Sequence, residues 1–356
     1  TRDENHDVQH DQGPVSTIVG VDTHKEAHVA VVIDSRGQRL GEHSFSADGA
    51  GYAALTHWAD GWGNVTSYGV EGTGCYGAGL ARHLRGAGHQ VIEIDRPDRR
   101  ARRRGKSDSI DAEAAARSVL AGVAATEPKT ADDSAEMLRA LKIAKDSAVR
   151  ARTQAGNQLK SLVVTAHDDL RSSLRTMTTI QLVRRCSQMR PGELVDVGSA
   201  TKHAMRSLAR RYLELDTEIT ELFEHIDRLT VHRAPQLRAA FGVGPDTSAA
   251  LIIAVGDNPS RVTSERAFAA MCGTNPIPAS SGNTTRHRLN RGGNRQANAA
   301  LYRIVLVRLQ WDQPTKDYVQ RRTAEGKTKA EIIRCLKRYV ARELYPLLLL
   351  VPVGGP

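Results

Sequence analysis

The chain has 356 residues, enough for two sizeable cores, and its 40% apolar content excludes wholesale disorder. Lys+Arg number 50 against 40 Asp+Glu, a net charge of +10 that points to a polyanionic partner, while 4% aromatics argue against recognition dominated by base stacking. Cys75, Cys186, Cys272 and Cys335 include no CxxC pair, which excludes a zinc knuckle or disulfide framework.

No apolar leader opens the sequence, and residues 1–15 are polar enough to predict a disordered tail. STIVGVDT at 16–23 reads as a buried strand ending in Asp22, and AHVAVVI at 27–33 as a second. Ser35-Arg36-Gly37 is a hairpin-type turn into a third strand over 38–46. A helix is predicted at 49–61, a strand at 65–71 (VTSYGVE), a helix at 76–86, a strand at 90–95 (QVIEID) and an Ala-rich helix at 109–121. A three-strand meander followed by alternating helix and strand describes a mixed sheet covered by helices, an α/β domain over 16–130.

From 131 to 233 strand signals vanish. Met205, Leu208, Tyr212, Leu215, Ile219, Leu222, Ile226 and Leu229 step by three and four, a heptad seam whose partner is either an earlier helix, roughly 133–168, or another subunit. The segment 234–356 reads as a third, mainly helical domain. Gly242-Val243-Gly244-Pro245 between two helical runs has the pattern of a helix-hairpin-helix, whose turn can present backbone N–H groups to a phosphate. A short helix at 264–272, an irregular loop at 273–293 and helices at 294–311 and 328–345 complete the chain. The longest apolar run, Tyr345–Val353, is interrupted by proline and too short to span a bilayer, so a cytoplasmic protein with no membrane partner is expected.

The basic excess is concentrated. Residues 96–106 hold seven Lys/Arg and one acid, and residues 282–303 hold five Arg and none, which leaves the remainder of the chain near −1. Arg99, Arg100, Arg102, Arg103, Arg104 and Lys106, with Arg286, Arg288, Arg291 and Arg295, are therefore the candidate nucleic-acid contacts. A solvated charged face is the alternative for either run taken alone.

Acids flank the first run. Asp22 and Glu71 each end a predicted strand, where an open sheet usually places its chemistry. Asp108 and Asp111, three residues apart, project from one helix face, although Asp108 could instead cap that helix. Converging carboxylates repel one another, and a divalent cation with oxygen ligands such as Mg²⁺ relieves this. Two such ions suit phosphodiester chemistry. Val21-Asp22-Thr23-His24-Lys25, Val70-Glu71-Gly72-Thr73-Gly74 and Lys106-Ser107-Asp108-Ser109-Ile110-Asp111-Ala112 resemble, in order and spacing, the acidic blocks of the DEDD transposases of the insertion-sequence-110 family. The resemblance runs from about residue 16 almost to the C-terminus. It implies an RNase H-like (RuvC-like) sheet with Asp22, Glu71, Asp108 and Asp111 as catalytic Mg²⁺ ligands.

Gly273-Thr274-Asn275-Pro276-Ile277-Pro278-Ala279-Ser280-Ser281-Gly282 enters the second basic run. By itself it reads equally as a polar loop. It resembles the C-terminal serine block of the same family, which implies Ser281 as nucleophile, with Ser280 adjacent. The chain departs from the family's usual pattern at Asn275, which replaces a leucine-type residue, and at Asn290-Arg291, which stands where Ser-Lys is common; neither change removes a chemical group, so only the fine positioning is affected. The resemblance further implies a bacterial, nucleoid-associated recombinase. It would join donor and target DNA through a phosphoserine linkage, be guided by a structured bridge RNA, and assemble as a dimer to tetramer. A RuvC-like nuclease using water, or a non-enzymatic helix-hairpin-helix nucleic-acid-binding protein, would leave the serine block or the acids without a task.

Overall fold

Ser16–Thr23 (β1) shows no polar alternation because it becomes the central strand of a five-stranded sheet, buried on both faces from Thr17 onward. The structure is a computed structural model that describes residues 16–94, 107–283 and 287–350. The expected tail 1–15, the first basic segment (Arg99, Arg100, Arg102, Arg103, Arg104, Lys106) and Arg286 lie outside the described residues. The described chain divides into two units at Thr130/Ala131. The helical stretch 131–233 falls in one unit with the C-terminal third.

In the first unit Ala27–Asp34 (β2) and Arg39–Ser46 (β3) form the meander, with Asn64–Glu71 (β4) and Val91–Ile94 (β5) beyond β1. The order is β3-β2-β1-β4-β5; β2 and β3 are antiparallel to their neighbours, and β4 and β5 run parallel to β1. This is the mixed sheet of an RNase H-like domain. Gly49–Asp60 (α1) and Ala78–Gly86 (α2) cover one face, where Leu55, Leu80 and Leu84 pack on Val19, Val21, Val32 and Tyr68. Asp108–Leu120 (α3) covers the other, with Ala112 and Ala116 on Ile18, Val31 and Ile33.

Two glycines set how close α3 comes. A Cβ at Gly20 would lie 2.0 Å from the Ala112 carbonyl oxygen and 2.5 Å from the Ala116 nitrogen, and one at Gly69 2.8 Å from Val119. Backbone cannot yield as a flexible side-chain tip can, so Gly20→Val forces the helix off the sheet. The expected cost is about 3 kcal/mol to the first unit. It can be read from urea denaturation by Trp58 and Trp62 fluorescence in a Trp311→Phe background; an unchanged midpoint would refute close packing here.

The second unit is built on an antiparallel pair, Ser134–Thr165 (α4) and Val197–Arg233 (α7). The heptad seam thus finds its partner within the chain: Leu159 meets Met205 and Ala209 at one end, Leu138 meets Ile226 at the other, and Arg152 pairs with Asp216 between them. Asp168–Leu174 (α5) and Thr179–Ser187 (α6), short helices without a clear apolar period, close the first end through Leu174, Leu182 and Val183. The other end joins the larger core of Pro235–Ala239 (α8), Pro245–Val255 (α9), Glu265–Met271 (α10), Arg295–Trp311 (α11), Gln313–Ala324 (α12) and Lys329–Leu349 (α13). Helix α13 continues through Pro346, where the apolar pattern predicted an end, because Leu344 and Leu348 on either side are buried in that core. Helix α12 has a mostly polar surface and gave no apolar period to read.

The glycine turn before α9 is used internally. Gly244 N–H donates to Thr247 Oγ1 (2.9 Å), and Asp246 in the first turn accepts two 2.7 Å hydrogen bonds from the buried Lys145 of α4. A fixed carboxylate there repels a phosphate, so the turn docks α9 onto α4 instead of offering its amides outward. Burial works to raise the Asp246 pKa, but the Lys145 hydrogen bond and the charges of Lys145, Lys142 and Arg303 outweigh it and hold the carboxyl below its ordinary 3.8. The stabilisation from a lowered acid is present above the unfolded value and disappears as pH falls through the lowered one. Lys145→Met is therefore expected to lose about 2 kcal/mol at neutral pH, less than a fully buried pair because Asp246 is a third exposed and keeps Lys142 at 3.6 Å. The loss should shrink once Asp246 is protonated, as Trp311 fluorescence during denaturation would report; a loss independent of pH would count against the ion pair.

Candidate active site

The parallel pairing of β1 and β4 sets Val21 opposite Val70, so Asp22 and Glu71 follow at the same level at the carboxyl edge. Side chains alternate along a strand, so both share the α3 face with Gly20 and Gly69. Thr23 Oγ1 donates to the Glu71 carbonyl at 2.8 Å and ties the two strand ends together. Gly72 follows with φ +67°, a left-handed residue that turns the chain away from the edge. Glu93 stands next to Val70 on β5, but alternation turns it to the opposite face, where it accepts from Thr73 Oγ1 at 2.7 Å. It is not part of this acidic group.

Helix α3 supplies the other acids. Ser107 caps it, its hydroxyl accepting from Ile110 N–H at 3.4 Å, so capping does not occupy Asp108. Asp108 and Asp111 stand in the first turn, where the helix dipole favours negative charge. The close approach allowed by Gly20 brings that turn to the end of β1. His24 Nε2 lies 3.2 Å from Asp22 Oδ2 and 3.4 Å from Asp108 Oδ2, and one ligand atom from each of the three falls within 4.8 Å of the others. Asp22 is 7% exposed, whereas Asp108 faces solvent. Burial raises the Asp22 pKa, the charge of His24 opposes this, and the charges of Asp108 and Asp111 add to it; the carboxyl ends above its ordinary value.

The structure thus brings Asp22 and Asp108 together, places Asp111 within reach of their field, and sets Glu71 beside them in register. His24 was not among the candidate residues taken from the sequence. Its signal was an imidazole two residues beyond a buried strand-end acid, in the very block that carries Asp22. Carboxylate oxygens are the donors a hard cation prefers, and mutually repelling acids around a buried one fit such an ion at Asp22 and Asp108, with Asp111 and Glu71 at its margin.

Ser281 belongs to the second unit. The stretch 273–293, expected as an irregular loop, contains a small hairpin of Pro276–Pro278 (β6) and His287–Leu289 (β7). Its pairing is too short, and its strands too rich in proline and cations, to show an alternating pattern. Ser280 and Ser281 are exposed where β6 gives way to the turn at Gly282, with φ +55°. At the hairpin root Asn290 Nδ2 donates to Asn275 Oδ1 at 2.7 Å. The two positions that depart from the family pattern therefore hold each other. Arg288 and Arg291 are exposed on the hairpin, and Arg295 opens α11 after Asn294, which caps that helix.

Residues 19–167 match a family described as Transposase, of the DEDD type of IS110, and residues 234–320 match the Transposase IS116/IS110/IS902 family. The chain belongs to the IS110 transposase family. The first match contains all four acids and the second contains the Ser281 hairpin; α13 lies beyond both. A curated relative, the "Insertion element IS110 uncharacterized 43.6 kDa protein" of Streptomyces coelicolor, is 32% identical over 116 residues, 32% of this chain and 28% of the relative. The match thus spans under a third of that relative's length. Among the described residues of this IS110-family chain, no helix is long and apolar enough to cross a membrane.

Proposed function

We propose that the chain is a DNA transposase that cuts and rejoins strands through a phosphoserine intermediate. The observation that carries this reading is the meeting of Asp22 and Asp108 at the carboxyl edge of an RNase H-like sheet, with Glu71 in register beside them. Ser281 Oγ would attack a DNA phosphorus, forming a Ser–O–P bond and breaking a P–O bond to release a DNA hydroxyl. The hydroxyl of an exchanged strand would reverse these steps, so the phosphodiester bond energy is kept. Arg288 and Arg291 would offset charge on the phosphoryl oxygens. Asp22, Glu71, Asp108 and Asp111 would hold Mg²⁺, as one or two ions, with His24 orienting the carboxylates of Asp22 and Asp108. Bound there, the cation would stabilise the attacking and leaving oxygens.

Donor and target DNA are the proposed substrates and a structured bridge RNA the proposed guide, consistent with a chain poor in base-stacking side chains. A homo-oligomer, dimer to tetramer, would let the acids of one subunit and the serine of another serve one phosphodiester. The place of action would be the bacterial nucleoid. Denaturing gel analysis of labelled DNA incubated with protein, Mg²⁺ and the RNA is expected to show a protein–DNA adduct. Strand cleavage with no adduct would replace this reading with a water-using nuclease.

A further inference from the structure

Helix α13 was legible in the sequence through its apolar face, which packs in the core of the second unit. Its other face carries cations at helical spacing: Arg334, Lys337, Arg338 and Arg342. Together with the β6–β7 hairpin and the end of α12, this face encloses a cleft of about 770 Å³. Two of its cations already have partners, Arg338 with Glu265 and Arg322 with Glu325. Arg288, Arg291, Lys327, Arg334, Lys337 and Arg342 remain around it, against one lining carboxylate, Glu331, which is engaged in capping α13 at Thr328. Like charges gathered in a concave site repel each other and favour a polyanion that offsets them.

The floor of the cleft is joined to the root of the hairpin. Lys337 Nζ donates to Asn298 Oδ1 at 3.0 Å, and Asn298 Nδ2 donates to the Cys272 carbonyl at 2.7 Å, directly before Gly273 where the hairpin segment begins. Lys337 is half-buried, and burial together with Arg334 pushes its pKa below the ordinary lysine value. A second recess of about 380 Å³ shares Asn290, Arg291, Asn298 and Lys337 and extends the surface along the start of α11.

We propose that this cleft, lined by Arg334, Lys337 and Arg342 opposite Arg288 of the hairpin, seats the phosphodiester backbone of the DNA strand presented to Ser281. The choice of DNA rests on the preceding reading of Ser281, since the strand attacked by an exposed hairpin serine must pass beside the hairpin's own wall. Backbone contacts of this kind carry no base information. They set register on the strand and add to the salt dependence of binding.

The test uses the full chain carrying Ser281→Ala, so that binding is scored apart from covalent chemistry and either can fail alone. Affinities for a short labelled DNA duplex and for RNA of the same sequence are measured across a salt series. Arg334→Gln/Arg342→Gln alters two exposed side chains and should leave the fold intact. DNA affinity is expected to fall about tenfold, equally for two unrelated sequences, and the slope of log K against log salt to flatten by about 1.5. Lys337→Gln should flatten it by about one further unit with little change in melting temperature. An unchanged slope overturns the proposal, as does an equal loss in the control Lys202→Gln/Arg211→Gln on α7. Loss confined to RNA overturns the assignment to DNA.

Discussion

Ser281→Ala is expected to abolish the protein–DNA adduct and to lower recombination by about 10⁴-fold or more, the usual consequence of removing a nucleophile that acts within a catalytic unit. Folding should be unaffected. Ser281 is exposed on the hairpin, and truncating an exposed hydroxyl typically changes stability by no more than about 0.5 kcal/mol. Binding of DNA and RNA should persist, because the cations around the cleft are untouched. Ser280→Ala is the paired control: its side chain is one residue closer to β6, and the adduct should survive its loss. Mass spectrometry of the digested adduct locates the modified residue. Phosphate on Ser280, or an adduct that survives Ser281→Ala, would contradict the assignment to Ser281. Arg288→Gln should give an intermediate defect, since it removes charge from the strand paired with β6 and leaves the attacking group in place.

Asp22→Asn is expected to remove Mg²⁺-dependent activity while leaving the apo protein as stable as wild type, or more so. The sign follows from the raised pKa. Between the unfolded value of 3.8 and the folded value, the folded state binds the extra proton, so stability falls as pH rises through this window, and above it the full penalty for a buried charge remains. Asparagine keeps the shape and removes that charge, along with its repulsion from Asp108 and Asp111. In wild type, Mg²⁺ at tenfold above its dissociation constant should restore about 1.4 kcal/mol, seen as a rise in melting temperature; in Asp22→Asn the rise should vanish. Glu71→Gln should weaken the Mg²⁺ response less, because Glu71 stands beside the closest group. Wild-type activity in Asp22→Asn, or a marked loss of apo stability, would mark Asp22 as a structural acid.

The two sites were legible to different depths. Each acidic block was readable because its features are contiguous: an apolar run ending in Asp22, another ending in Glu71, and Ser107 capping a helix that starts at Asp108. The heptad seam announced a long helix with two candidate partners, the helix near 133–168 or another subunit, and only the two cores at the ends of the pair decided for α4. The cationic face of α13 was present in the sequence at positions 334, 337, 338 and 342, but its apolar face carried the stronger period and drew the reading.

By itself, then, the sequence determined the order and type of most elements, the family and the candidate acids and serine, all of which depend on residues adjacent along the chain. The tertiary structure decided what meets what. Gly20 and Gly69 leave the sheet bare enough for α3 to bring Asp108 to Asp22, where His24 joins them. Lys145 turns the glycine hairpin inward, and Asn298 ties Lys337 to the hairpin root. These contacts join residues far apart in sequence, and they follow from which faces exclude water and how closely backbones pack, which local periodicity does not encode.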